Sequence, residues 1–200
     1  MSAVTPPLGR RERQKQAKLE RITAAASKLF AEHGVDEVTT QQIADAADIG
    51  TGTLFLYARS KGELLLLVQN AHYADALDRG RAAARQERTA LDAVVALIAP
   101  IVECNRVQVD NGRTYLREMV FGDPSDPHRA EALSVVAQTE DAIAGILTNH
   151  AAASAGQAAT LAGVISAIQF VTLAASESAE SSVPELLASI RTQVAAVLPD

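Results

Sequence analysis

Tryptophan is absent from this 200-residue chain, and aromatic residues make up only 4% of it. Any core must therefore be aliphatic and alanine-rich, which the 48% hydrophobic fraction allows. The single cysteine, Cys104, has no partner for an internal disulfide, which fits a reducing cytoplasm. His33, His72, His128 and His150 are scattered, and no His-x-x-x-His or Glu-x-x-His spacing offers a metal site. Gly50-Thr51-Gly52 is too short for a phosphate-cradling loop and follows no strand pattern. No set of Ser, His and Asp nominates itself for catalysis. The reading is a non-enzymatic protein with no catalytic residue, no cofactor and no metal. The opening MSAVTPPLGRRERQ lacks the apolar run of a secretory signal, so a cytoplasmic location is expected.

Charge is also missing from one long stretch. Ala142 to Ser176 contains no Asp, Glu, Lys or Arg. A membrane span needs roughly 20 mostly apolar residues. Here Asn149, His150 and Gly156 interrupt the run, and Ser166, Gln169 and Thr172 recur at helical spacing. No basic cluster flanks it, so a helix with one uncharged polar face is expected rather than a span. The net charge of -6 is uneven: Met1 to Lys61 carries nine basic and seven acidic residues, leaving -8 for the rest. An acidic body with a mildly basic head suits contact with nucleic acid at one end.

What is present is helical periodicity throughout. Met1 to Gly9, with Pro6-Pro7, reads as a flexible tail. A first helix is expected over Arg10–His33, with Leu19, Ile22, Ala26, Leu29 and Phe30 as its apolar stripe. Gly34 and Val35 form its C-terminal cap. Ser60 and Glu63 predict a capping box opening a helix to about Gln86, its stripe running through Leu64, Val68, Ala71, Ala74 and Leu77. Further helices are expected from Thr89, over Asn111–Phe121, from Asp126-Pro127 to about Asn149, and over Gln157–Ala175. Pro100 is a candidate kink in the helix from Thr89. A linker of Ala, Ser and Glu then leads to Ser182 and Glu185, a capping box for the last helix.

The most informative segment is Val38 to Lys61, VTTQQIADAADIGTGTLFLYARSK. Thr39 is placed as an N-cap, Gln42 returns the bond, and Val38 with Ile43 forms a hydrophobic staple. A tight turn at Ala47-Asp48-Ile49-Gly50 leads to a second short helix. Leu54 and Ala58 face back, and Thr51, Thr53, Phe55, Leu56 and Tyr57 face out. A helix-turn-helix sets such a face in the major groove.

These residues resemble the DNA-binding domain of the TetR family of transcriptional regulators. The resemblance covers roughly Ile22 to Val68 and rests on Thr39, Ile43-Ala44, Ala47 to Gly50, Gly52-Thr53-Leu54-Phe55, Tyr57-Ala58, Ser60-Lys61 and Leu64-Leu65. Four positions depart from the family pattern. Asp48 replaces Gly in the turn, Gly50 replaces Ser as a cap, Phe55 replaces Tyr, and Ala58 replaces Phe.

The resemblance implies an all-α fold with two parts. Residues 1–60 would hold the tail and a three-helix DNA-binding head, and residues 61–200 a helical ligand-binding and dimerisation body. It implies a ligand-responsive repressor that binds a palindromic operator as a homodimer. Lys61 would donate to a phosphate, and Thr39 and Thr40 would approach the backbone. Gln41, Thr51, Thr53 and Leu56 are candidates for base edges, with Gln41 suited to adenine and Leu56 to a thymine methyl. Gly52 permits close approach, and Phe55 and Tyr57 flank the contact. For the ligand, Tyr73, Cys104, Tyr115 and Met119 are candidates, with Ser166, Gln169, Phe170 and Thr172 on the charge-free helix. Their lining argues for a small hydrophobic effector. The alternative is a helical small-molecule-binding or enzymatic protein that does not bind DNA.

Overall fold

The computed structural model describes residues 9–151, 153–175 and 178–198. The tail before Gly9 and part of the Ala/Ser/Glu linker lie outside the described residues. Among the described residues there are nine helices and no strand: α1 (Arg10–His33), α2 (Thr40–Ala46), α3 (Thr51–Leu54), α4 (Lys61–Ala84), α5 (Ala90–Arg106), α6 (Val109–Phe121), α7 (Pro127–His150), α8 (Ala155–Ala174) and α9 (Val183–Val197).

Local capping explains most of the boundaries. Thr39 and Gln42 exchange both bonds of a capping box at α2, and Ser182 with Glu185 does the same at α9. Asp126 caps α7, with Pro127 in its first turn. Gly34 ends α1 with φ +78°, a value that favours glycine, and its N–H reaches the Phe30 carbonyl.

Three expectations need correction. Glu63 does not close a box with Ser60; its carboxylate accepts from the Arg59 backbone N–H at 2.6 Å and the Arg59 side chain at 3.1 Å. Helix α6 starts two residues early because the Gln108 side chain accepts from the Asp110 and Asn111 N–H groups. Helix α8 also starts two residues early, on a Ser154–Gln157 capping box that reading from the sequence missed.

Helix α4 is the hub, packing against α1, α5, α6 and α7. Its buried face differs from the expected stripe. Ala71 and Ala74 are exposed, while Asn70, Tyr73, Ala76, Leu77 and Gly80 point inward. The reason is the consecutive burial of Leu64, Leu65 and Leu66. Neighbours on several sides take all three, and each buried leucine contributes about 1.5–3 kcal/mol of transfer free energy. Gly80 lets α5 approach, since a Cβ there would lie 2.1 Å from the Leu97 carbonyl oxygen. Helix α5 continues through Pro100.

Helix α8 is long and apolar enough, by length and composition, to cross a membrane. It packs between α7 and α9 through Ala158, Ala162, Ile165 and Leu173. Val164 and Val171 stay exposed on its outer side. On α9, Ile190 and Val194 lie fully buried in the body's own core.

Candidate nucleic-acid interface and ligand cavity

The head is built around Ile22, Phe30, Val38, Ile43 and Leu54, all buried. Val38 and Ile43 flank the Thr39 cap as the staple requires. The turn between α2 and α3 holds Asp48 at φ +52°, the left-handed conformation that Asp tolerates better than most residues. Arg21 lies 3.5 Å from its carboxylate and offsets the charge.

The outward-facing segment is shorter as a helix than expected. Helix α3 holds four residues, and a turn continues to Tyr57, with the Ala58 N–H still reaching the Leu54 carbonyl at 3.2 Å. Leu54 and Ala58 face inward as predicted. Leu56 is 82% exposed and Phe55 is 44% exposed, so two apolar side chains project from the segment. Thr51, Thr53 and Tyr57 are half-buried, and Gly52 is exposed. The Tyr57 hydroxyl lies 3.4 Å from the Lys15 carbonyl.

The polar candidates are already bonded to one another. Thr51 donates to Gln41 Oε1 at 2.7 Å, and Gln41 Nε2 donates to Asp45 at 2.7 Å. Thr39 is occupied as a cap, and Thr40 lies half-buried beside it. Lys61 Nζ donates to the Val35 and Asp36 carbonyls, each at 2.9 Å. An ammonium carries three N–H donors, so one is left over.

Sequence reasoning did not find the bonds that fasten this head to the rest. Asn111 on α6 is buried, accepts from the Val35 N–H at 2.7 Å and donates to the Phe30 carbonyl at 2.8 Å. Arg59 pairs with Asp123 at 3.1 Å. The Asp123 carboxyl is held below the ordinary carboxylate range, first by two hydrogen bonds from Ser125 and then by Arg59. His128, in the first turn of α7, places Nε2 3.2 Å from the Tyr57 carbonyl. Buried asparagines in apolar helices were the available signal, but their partners lie far away in sequence.

The helices of the body line a half-open cavity of about 340 Å³ between α4, α6, α7 and α8. Tyr73, Tyr115, Met119, Ser166, Gln169 and Phe170 all line it, as the candidate set anticipated. Two candidates do not. Thr172 faces α9, where Gln193 reaches its hydroxyl at 3.4 Å. Cys104 points elsewhere, and burial pushes its thiol up to about 11, which leaves it unreactive near neutral pH.

Tyr73 and Tyr115 stack with ring centroids 4.2 Å apart. Burial pushes the pKa of both hydroxyls up, so both stay neutral donors and acceptors. Gln169 is only 9% exposed and has no hydrogen-bond partner within the protein among the described residues. Its amide is therefore a polar handle in an apolar chamber. Glu140 is the charged side chain on the wall.

The comparisons bear on both regions. Residues 22–68 match the family model described as bacterial regulatory proteins, tetR family. Over that stretch, the head of this chain is similar to the TetR family of regulators.

Solved structures extend the likeness beyond residues 22–68. Thermus thermophilus FadR, a TetR-family transcriptional repressor in complex with lauroyl-CoA, is 22% identical, with a TM-score of 0.68 over 90% of this chain and 92% of that one. A TetR transcriptional regulator from Rhodococcus sp. RHA1 is 17% identical, with a TM-score of 0.71 over 94% and 98%. The fatty acid degradation regulator FadR from Bacillus halodurans is 13% identical, with a TM-score of 0.61 over 90% and 99%. At these identities the likeness shows the fold. No curated protein matches the chain in sequence.

Proposed function

We propose that the chain is a cytoplasmic transcriptional repressor that binds a palindromic operator as a homodimer and is released by a small apolar effector. The observation carrying this reading is that one protein joins an outward-facing segment, Thr51 to Tyr57, to an apolar cavity through bonded contacts. The domain boundary falls at Ser60/Lys61, where α4 begins and runs from the head into the cavity wall. Leu56 reads a thymine methyl, and Gln41 and Thr51 exchange their mutual bond for base edges. Thr39, Thr40 and the third N–H of Lys61 take phosphates, with Gly52 allowing approach and Thr53, Phe55 and Tyr57 completing the contact.

The second copy covers the uncharged outer side of α8 at Val164 and Val171. A two-fold contact brings identical side chains together, so a stripe without charge meets no like-charge repulsion. The effector occupies the cavity through Tyr73, Tyr115, Met119, Ser166, Gln169 and Phe170. That a structural neighbour was solved with lauroyl-CoA supports an effector with an apolar chain. The effector shifts the head only by its differential affinity for the two states.

The test is selection of bound duplexes from random DNA. A palindrome should emerge, with affinity falling as salt rises by about 0.9 in log–log slope per phosphate neutralised. Lys61→Ala should weaken all duplexes alike, whereas Leu56→Ala should relax one base position. The absence of any enriched duplex at low salt would exclude the DNA-binding reading in favour of a helical ligand-binding protein.

A further inference from the structure

The cavity and the reading segment are linked by a line of hydrogen bonds that passes through His128, from its backbone carbonyl to its ring. The Tyr115 hydroxyl, on the cavity wall, donates to Asn70 Oδ1 at 3.0 Å. The Asn70 Nδ2 donates to the His128 backbone carbonyl at 2.9 Å and to Glu131 at 3.0 Å. The His128 ring then meets the Tyr57 carbonyl at 3.2 Å. A carbonyl only accepts, so Nε2 carries the proton in that bond. Tyr115 is 3% and Asn70 4% exposed, so water does not compete for the first links. In such surroundings an unmade bond is costly, and neighbouring bonds reinforce one another.

We propose that Asn70 and His128 are positioning residues that set the end of the reading segment according to the state of the Tyr115 hydroxyl. Asn70 is held at both ends of its amide. Losing the Tyr115 bond frees the amide to turn, and Nδ2 then leaves the His128 carbonyl. The first turn of α7 loses its anchor to α4, and the His128 ring loses its hold on Tyr57. An effector that claims the Tyr115 hydroxyl therefore loosens the segment from Phe55 to Ala58. Tyr73 supplies the internal contrast. It stacks on Tyr115, yet its hydroxyl accepts from Asn105 at 2.9 Å and has no link to His128.

This inference draws its regulatory meaning from the reading above, but its test needs neither DNA nor effector. Amide hydrogen exchange is measured on the whole protein at Leu56, Tyr57 and Ala58, whose N–H groups bond within the segment. Tyr115→Phe, which removes one oxygen, should speed exchange at these amides by about three- to tenfold. His128→Ala should speed it at least as much, and His128→Asn serves where the alanine variant does not fold. Adding Tyr115→Phe to the His128 variant should produce no further change, because the line is already cut. Tyr73→Phe should leave the three amides at the wild-type rate. Unchanged exchange in Tyr115→Phe, additive effects in the double variant, or an equal effect of Tyr73→Phe would each overturn the proposal. The DNA-binding reading would stand in all three cases.

Discussion

Helices α3 and α8 show how differently the two ends of this molecule are built. Helix α3 has four residues and a glycine cap without a side-chain bond, and the turn that follows it carries two exposed apolar side chains. It holds its shape because Leu54 and Ala58 are buried and because α2, Arg59 and His128 fix what surrounds it. Helix α8 has twenty residues, a closed capping box and no charge, and it forms one wall of a cavity. Short helices are marginal alone, since nucleation costs more than a few bonds return. The head therefore presents chemistry outward on a scaffold it borrows, whereas the body keeps its unpartnered chemistry inside.

The largest expected effects come from matched core truncations. Ile43→Ala in the head and Ile143→Ala in the body both remove side chains that are 0% exposed. Each should cost about 2–5 kcal/mol in urea unfolding. If the two ends unfold as one unit, both variants move a single transition. If the borrowed scaffold gives way first, Ile43→Ala moves only an early step.

The next contrast uses two glutamines. Gln169→Leu removes an amide that makes no hydrogen bond within the described residues but opens onto the cavity, so it should raise stability by only about 1 kcal/mol, the low end of the penalty for an unpaired polar group. For a chain of this size this raises Tm by about 2–4 °C per kcal/mol in a thermal scan. Gln41→Leu, at an exposed and bonded amide, should stay within about 0.5 kcal/mol. A destabilised Gln169→Leu would mean that the handle has a structural partner.

Capping sharpens the comparison further. Thr39→Ala and Ser182→Ala each break a closed box and should cost about 1 kcal/mol in chemical denaturation. The seven-residue α2 has fewer other bonds than the fifteen-residue α9, so hydrogen exchange should rise over a larger share of α2.

The smallest effect lies at the joint. Asp123 has a folded-state value below the ordinary carboxylate range, because of Ser125 and then Arg59. A depressed folded value means that the stabilisation is present above the unfolded value near 3.9 and is lost as pH falls through the folded one. Both partners are exposed, so the gain is small and salt-sensitive. Denaturation midpoints of wild type and Asp123→Asn should differ at neutral pH and converge below about pH 3. Parallel curves would remove the Arg59–Asp123 pair from the joint.

Much of the outward face of the Thr51–Tyr57 segment and of the cavity wall was legible in the sequence. Helical spacing put Ser166 and Gln169 on one face, and both line the cavity. The same spacing included Thr172, which turns to α9 because that helix packs where the stripe would continue. It also placed Ala71 and Ala74 in the core, because period alone cannot say that Leu64, Leu65 and Leu66 all find neighbours.

By itself the sequence determined where most helices begin and end. The reason is physical: Thr39 with Gln42, Ser182 with Glu185, and Asp126 with His128 bond within three positions, so neighbours along the chain suffice. Tertiary structure alone decided the rest. Asn111 bonds residues 76 and 81 positions away, and Asn70 bonds one 58 positions away. Lys61 turned from solvent to the Val35 and Asp36 carbonyls, and Glu63 turned from its own cap to Arg59. A buried polar group takes whichever partner packing brings within reach, and that choice is made only when the helices meet.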